Sequence, residues 1–93
     1  MMNPLKSAKI AVLKRIALED YGYVQYYTKM INNWMYKCED IASKNPNFIT
    51  DRRYQEMSGS ITYWSKKIDF WTHEFQEKKE ELQKLGVRVD LVL

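Results

Sequence analysis

Residues 54–85 read YQEMSGSITYWSKKIDFWTHEFQEKKEELQKL, and their large side chains recur every three or four positions: Tyr54, Met57, Ile61, Trp64, Ile68, Trp71, Phe75, Lys78, Leu82 and Leu85. The same spacing runs through residues 10–41, at Ile10, Leu13, Ala17, Asp20, Val24, Tyr27, Ile31, Trp34, Cys38 and Ile41. Nine of ten positions in each run are apolar, and this alternating period belongs to helices wound on one another. The fold class is therefore all-α, a long antiparallel helical hairpin of coiled-coil type.

Local signals set its limits. Asn3 can cap the first turn and Pro4 suits the first helical position, where a missing N–H costs nothing. Asn45-Pro46-Asn47 ends the first helix, because a residue before proline is pushed out of the helical region. Thr50 or Asp51 can cap the second helix; with Thr50 as cap, Ile49 and Tyr54 would form a hydrophobic staple. Gly86 tolerates the left-handed conformation that follows a last helical turn. The expected order is helix 4–44, loop 45–50, helix 51–85 and an extended arm 86–93, all within a single domain 1–93. Gly22 is the weak point of the first helix, at a cost of about 1 kcal/mol against Ala. The heptad crosses it in phase, which predicts a local irregularity in preference to a break into three helices.

Ninety-three residues suit one domain, and 45% apolar with 14% aromatic content is too hydrophobic for a disordered segment. No apolar run approaches the roughly 20 residues of a membrane span. The single cysteine, Cys38, gives no intrachain disulfide and fits a reducing, cytoplasmic compartment. Residues 1–18 carry Lys6, Lys9, Lys14 and Arg15 and no acid. Their apolar positions continue the heptad, so they read as the start of the helix and not as a secretory signal.

Pairing the runs outward from the loop places Asp20 and Lys78, the two polar seam residues, in adjacent layers. A charge in a seam is costly unless paired, so these two are expected to be partners that fix the register. Apolar residues outside the seams are in surplus: Ile16, Tyr23 and Met30 on one flank, Tyr21, Met35 and Ala42 on the other, with Leu18, Tyr26, Tyr36, Tyr63 and Phe70 further round. Such a surplus on two helices calls for cover. A second copy, giving a four-helix dimer, is the cheapest. Val87-Arg88-Val89-Asp90-Leu91 alternates with period two and reads as a strand or extended arm, paired to a partner or frayed.

No constellation specifies a chemistry. The chain has one histidine, His73, and lacks Cys-x-x-Cys, His-Glu-x-x-His and Glu-x-x-His patterns, so neither a metal nor a cofactor is expected. Cys38 sits in a core layer, Ser58-Gly59-Ser60 lacks the frame of a nucleophile elbow, and the three glycines are isolated. Glu74, Glu77, Glu80 and Glu81 lie among lysines and read as a solvated helical face. The expectation is not an enzyme.

Seven tyrosines and three tryptophans exceed what one thin core needs, and these residues dominate interface energetics. The leading reading is a protein–protein interaction module. It would self-associate as a homodimer and act as a small regulator or inhibitor on a partner's surface, with Tyr21, Tyr26, Tyr36, Tyr63 and Phe70 as contacts. Phage-encoded inhibitors of a host enzyme or defence factor are one group of such proteins. The alternative is a basic helical nucleic-acid-binding protein. Net charge is +3 with a pI near 9.0, and Lys6, Lys9, Lys14 and Arg15 would meet phosphates. Against it, the antiparallel pairing sets this basic start beside the acidic stretch 74–81, where charge would be matched internally.

Overall fold

A computed structural model of the chain describes residues 3–93. Two long helices account for most of it: α1 (Pro4–Lys44) and α2 (Arg52–Lys84), joined through a short 3-10 turn at Phe48–Thr50. Among the described residues there is no strand. α1 runs through Gly22 without interruption, because one glycine's entropic cost is small against the packing on either side of it.

The termini follow the local chemistry. Asn3 Oδ1 accepts the Leu5 amide at 2.8 Å. Asp51, and not Thr50, caps α2: its Oδ1 accepts the Arg53 amide at 2.9 Å and the Tyr54 amide at 3.4 Å. The Arg53 guanidinium hydrogen-bonded to this carboxylate, with those two amides, holds Asp51 below the usual carboxylate range. With Asp51 as cap the Ile49–Tyr54 staple is out of register. Ile49 is exposed, and Phe48 takes its place, edge-on to Tyr54 at 5.0 Å. At the far end Gly86 has φ +81°; the Val87 amide reaches the Leu82 carbonyl at 2.9 Å and the Gly86 amide reaches Gln83 at 3.0 Å. This pair of closures is the Schellman arrangement, which satisfies carbonyls the helix leaves open.

Every one of the twenty seam positions is buried or half-buried, so the three-four spacing correctly names the inner stripe of each helix. The chain divides into two compact units, residues 1–24 with 70–93 and residues 25–69. In the first, Ile10, Leu13 and Ala17 of α1 meet Phe75 and Leu82 of α2, with Tyr21, Leu85, Val87, Val89 and Leu91 packed around them. In the second, Ile31, Cys38 and Ile41 are buried on α1. Tyr27 stacks on Trp64 of α2 there, with ring centroids 4.2 Å apart and planes within 9°.

The segment after Gly86 keeps its period of two without a ladder. Val87, Val89 and Leu91 turn in onto the first unit's core, while Arg88 and Asp90 turn out and pair with each other at 2.7 Å. The arm is thus docked by side chains. Beyond that packing, Lys79 Nζ donates to the Leu91 carbonyl at 3.1 Å.

Asp20 is the seam's one acid, also in the first unit. Its Oδ2 is buried and has no hydrogen-bond partner. Lys78 directs its amine to Glu74, 3.7 Å away on its own helix. Burial pushes the Asp20 carboxyl above its ordinary range. The Glu74 and Glu19 charges push the same way, and Lys78 opposes them. The folded chain therefore holds this proton more tightly than the unfolded chain, so ionisation of Asp20 weakens the fold as pH rises through its raised value. Asp20→Asn removes that charge. It should raise stability at pH 7, because the amide has no ionised form to desolvate beside Glu74 and Glu19. Urea denaturation at stepped pH should show the gain vanishing as pH falls through the carboxyl's range; a gain that persists in acid would show that charge is not its cause.

Candidate interaction surface

Within residues 25–69, four aromatic rings form a continuous series across the two helices. Tyr26 meets Tyr27 edge-on at 5.0 Å, Tyr27 stacks on Trp64, and Trp64 meets Tyr63 edge-on at 5.2 Å. Lys67 Nζ lies 5.6 Å from the centre of the Tyr63 ring. Edge-to-face and stacked contacts in this distance range suit the ring quadrupole, and each adds about 0.5–1.5 kcal/mol beyond area burial. The inner two rings are half-buried on the seam; Tyr26 and Tyr63, the outer two, are 59% and 55% exposed.

Helical geometry explains why the outer rings share a side. Each immediately precedes its seam residue, one 100° step away. α1 runs into the turn of this unit and α2 runs out of it, so equal steps on opposed helices carry both side chains to the same side. Met30, which precedes Ile31, lies on that side as well. On the other side of the pair, the residues that follow the seam are Gln55, Ser58, Thr62, Ser65 and Asp69 on α2 and Thr28, Asn32, Met35, Glu39 and Ala42 on α1, and Thr62 Oγ1 donates to the Ser58 carbonyl at 3.0 Å. The first side carries the two exposed tyrosines, and the second is mostly polar apart from Met35 and Ala42.

Tyr36 stands elsewhere on α1, 73% exposed, as a ridge between two open clefts of about 430 and 380 Å³. Asn32, Met35 and Glu39 line the first; Lys37, Arg53 and Met57 help to line the second. Of the remaining sequence-derived contact residues, Tyr21 turns inward against Phe75, centroids 5.7 Å apart, and Phe70 is exposed. Both belong to the first unit. Sequence reading gave Tyr23 no role beyond flanking the seam. It stacks on Trp71 at 4.9 Å, and the spacing of the two runs alone carries no sign of that contact.

The basic start is open. Lys6, Lys9 and Lys14 are exposed, and Arg15 pairs with Glu19 at 3.4 Å. Ion pairs among the described residues join groups no more than four positions apart. The expected matching of this basic stretch by the acids 74–81 is therefore not made through contacts between helices. Short-range partners win because an i,i+4 pair orders fewer rotors than a pair reaching across a seam. His73 follows this rule, with Nε2 3.1 Å from Glu77 Oε1 on an exposed face.

Among the described residues no helix is long and apolar enough to cross a membrane, and no three His, Cys, Asp or Glu side chains come together as a metal-holding group. Comparison with protein-family models, with curated proteins and with solved structures finds no match to the chain.

Proposed function

We propose that the chain is a non-enzymatic protein–protein interaction module. It self-associates as a dimer of antiparallel hairpins packed into a four-helix bundle, and it acts as a small cytoplasmic regulator or inhibitor by covering a surface on a partner protein. The observation that carries this reading is the ring series Tyr26–Tyr27–Trp64–Tyr63. Its inner pair is fixed by packing, so the exposed outer rings are presented in set positions. A partner that covers them loses little side-chain freedom in doing so, which is the property that makes Tyr and Trp effective interface anchors.

In the same proposal Asp20 and Lys78 set the register of the hairpin electrostatically, with Glu74 sharing the lysine. A double-mutant cycle of Asp20→Asn and Lys78→Met measures this. A coupling above about 0.5 kcal/mol is expected, and additivity within that margin means that the two do not act together.

The nucleic-acid alternative rests on the open basic group Lys6, Lys9, Lys14 and Arg15. Affinity capture followed by mass spectrometry separates a protein partner from nucleic acid, and substitution then assigns the surface. Tyr26→Ala or Tyr63→Ala should weaken partner binding by about 1 kcal/mol or more while the helical circular dichroism is unchanged. Charge reversal at the four basic positions should have little effect. Binding to DNA or RNA with a log–log salt slope near −0.9 per phosphate contact, abolished by those reversals, would establish the alternative instead.

A further inference from the structure

Within the first unit, α1 carries a second apolar stripe outside the seam. Leu5, Val12, Ile16 and Tyr23 keep the three-four spacing, with Lys9 and Glu19 in the two places between them. The stripe stands one 100° step from the buried one. Leu5, Val12 and Tyr23 are 80%, 57% and 46% exposed, Ile16 is half-buried, and both charged residues are exposed. An open cleft of about 330 Å³ lies at the middle of the stripe, lined by Ala11, Val12, Arg15 and Ile16.

Reversed end for end about Lys14, this stripe falls on itself. Val12 and Ile16 are two residues from that centre, Lys9 and Glu19 five, and Leu5 and Tyr23 nine. Any alternating stripe can be reversed onto itself in several registers. What singles out this one is charge, because its two polar interruptions meet each other and have opposite sign. A register one heptad away sets Lys9 against Val12, or Glu19 against Ile16, and leaves a charge facing an apolar side chain.

We infer, resting on the dimer proposed above, that its contact is α1 against α1 of a second copy, antiparallel, with the two-fold axis level with Lys14. Val12 then packs on Ile16 of the second copy, Lys9 on Glu19, and Leu5 on Tyr23, and each layer recurs beyond the axis, as an isologous contact requires. From Leu5 to Tyr23 the contact runs about 27 Å at 1.5 Å per residue. Two flanking pairs agree with it. On one flank Lys6 comes nearly level with Asp20 of the second copy, bringing a cation toward the acid whose buried Oδ2 has no hydrogen-bond partner. On the other, Ala8 comes near Gly22 of the second copy, where open space surrounds the glycine and small residues let the helices approach. Placing α1 over α2 of the second copy, in the hairpin's own register, is the poorer choice. Val12 and Ile16 would meet Glu81 and Glu77, and Glu19 would meet Glu74. The contact uses residues of the first unit alone and none of the four-ring series.

Light scattering of the full chain across a concentration series reads the association. Lys9→Glu alone, or Glu19→Lys alone, sets like charges together in two layers of a homodimer and should weaken it about fivefold or more at low salt. Mixed in equal amounts, these two variants should associate as tightly as the wild type, because every such layer then joins unlike charges. The double variant Lys9→Glu/Glu19→Lys should also recover. Val12→Lys brings two charges to the axis and should abolish association while the helical circular dichroism is unchanged. A wild type that is monomeric at every concentration would overturn the dimer and this contact with it. A wild-type dimer would overturn the contact alone if the mixture associates no better than its two components, or if Val12→Lys leaves association undiminished.

Discussion

Two helices in contact can bury only one stripe each, and this constraint governs the rest of the molecule. The three-four runs fill those stripes, and all twenty of their positions are at least half-buried. Whatever large apolar residues remain must lie outside. The chain meets this demand differently in its two units. In the first, the arm returns and covers part of the core with Val87, Val89 and Leu91. In the second no arm among the described residues returns, and Tyr26 and Tyr63 stay open.

That second unit owes its character to the Tyr27–Trp64 stack. Flat rings at 4.2 Å bury a large area with few rotors, and each ring then serves as a wall for its exposed neighbour. Because both exposed tyrosines precede their seam residues on opposed helices, ordering the seam orders the outer surface too. On the reverse side Ser58, Thr62 and Ser65 are short, and Met35 is a large exposed apolar residue there.

Much of this was legible in the sequence because it depends on periodicity and on backbone chemistry. Pro4, Asn45-Pro46 and Gly86 marked the helix limits to within one residue, and the heptads named the inner stripe. Choices among competing side-chain partners were not legible. Asp51 and Thr50 are both good caps, and only the geometry of the 3-10 turn decides for Asp51; that choice dissolves the staple, leaving Ile49 exposed and Phe48 against Tyr54. Lys78 lies within reach of Asp20 across the seam and of Glu74 one turn back, and the nearer carboxylate receives its amine. The alternation of residues 87–91 suggested a strand, but period two fixes only which side chains point in, and here helices supply the apolar surface that a sheet would otherwise provide. Ring-on-ring geometry at Tyr23–Trp71 and through the four-ring series depends on rotamers, which spacing does not encode.

Central to the proposal is self-association, with a second copy covering the apolar surplus that flanks the two seams. Light scattering after size exclusion at micromolar concentration tests it most directly. The expected mass is twice the 11.2 kDa of one chain, and a clean 11.2 kDa monomer would contradict it.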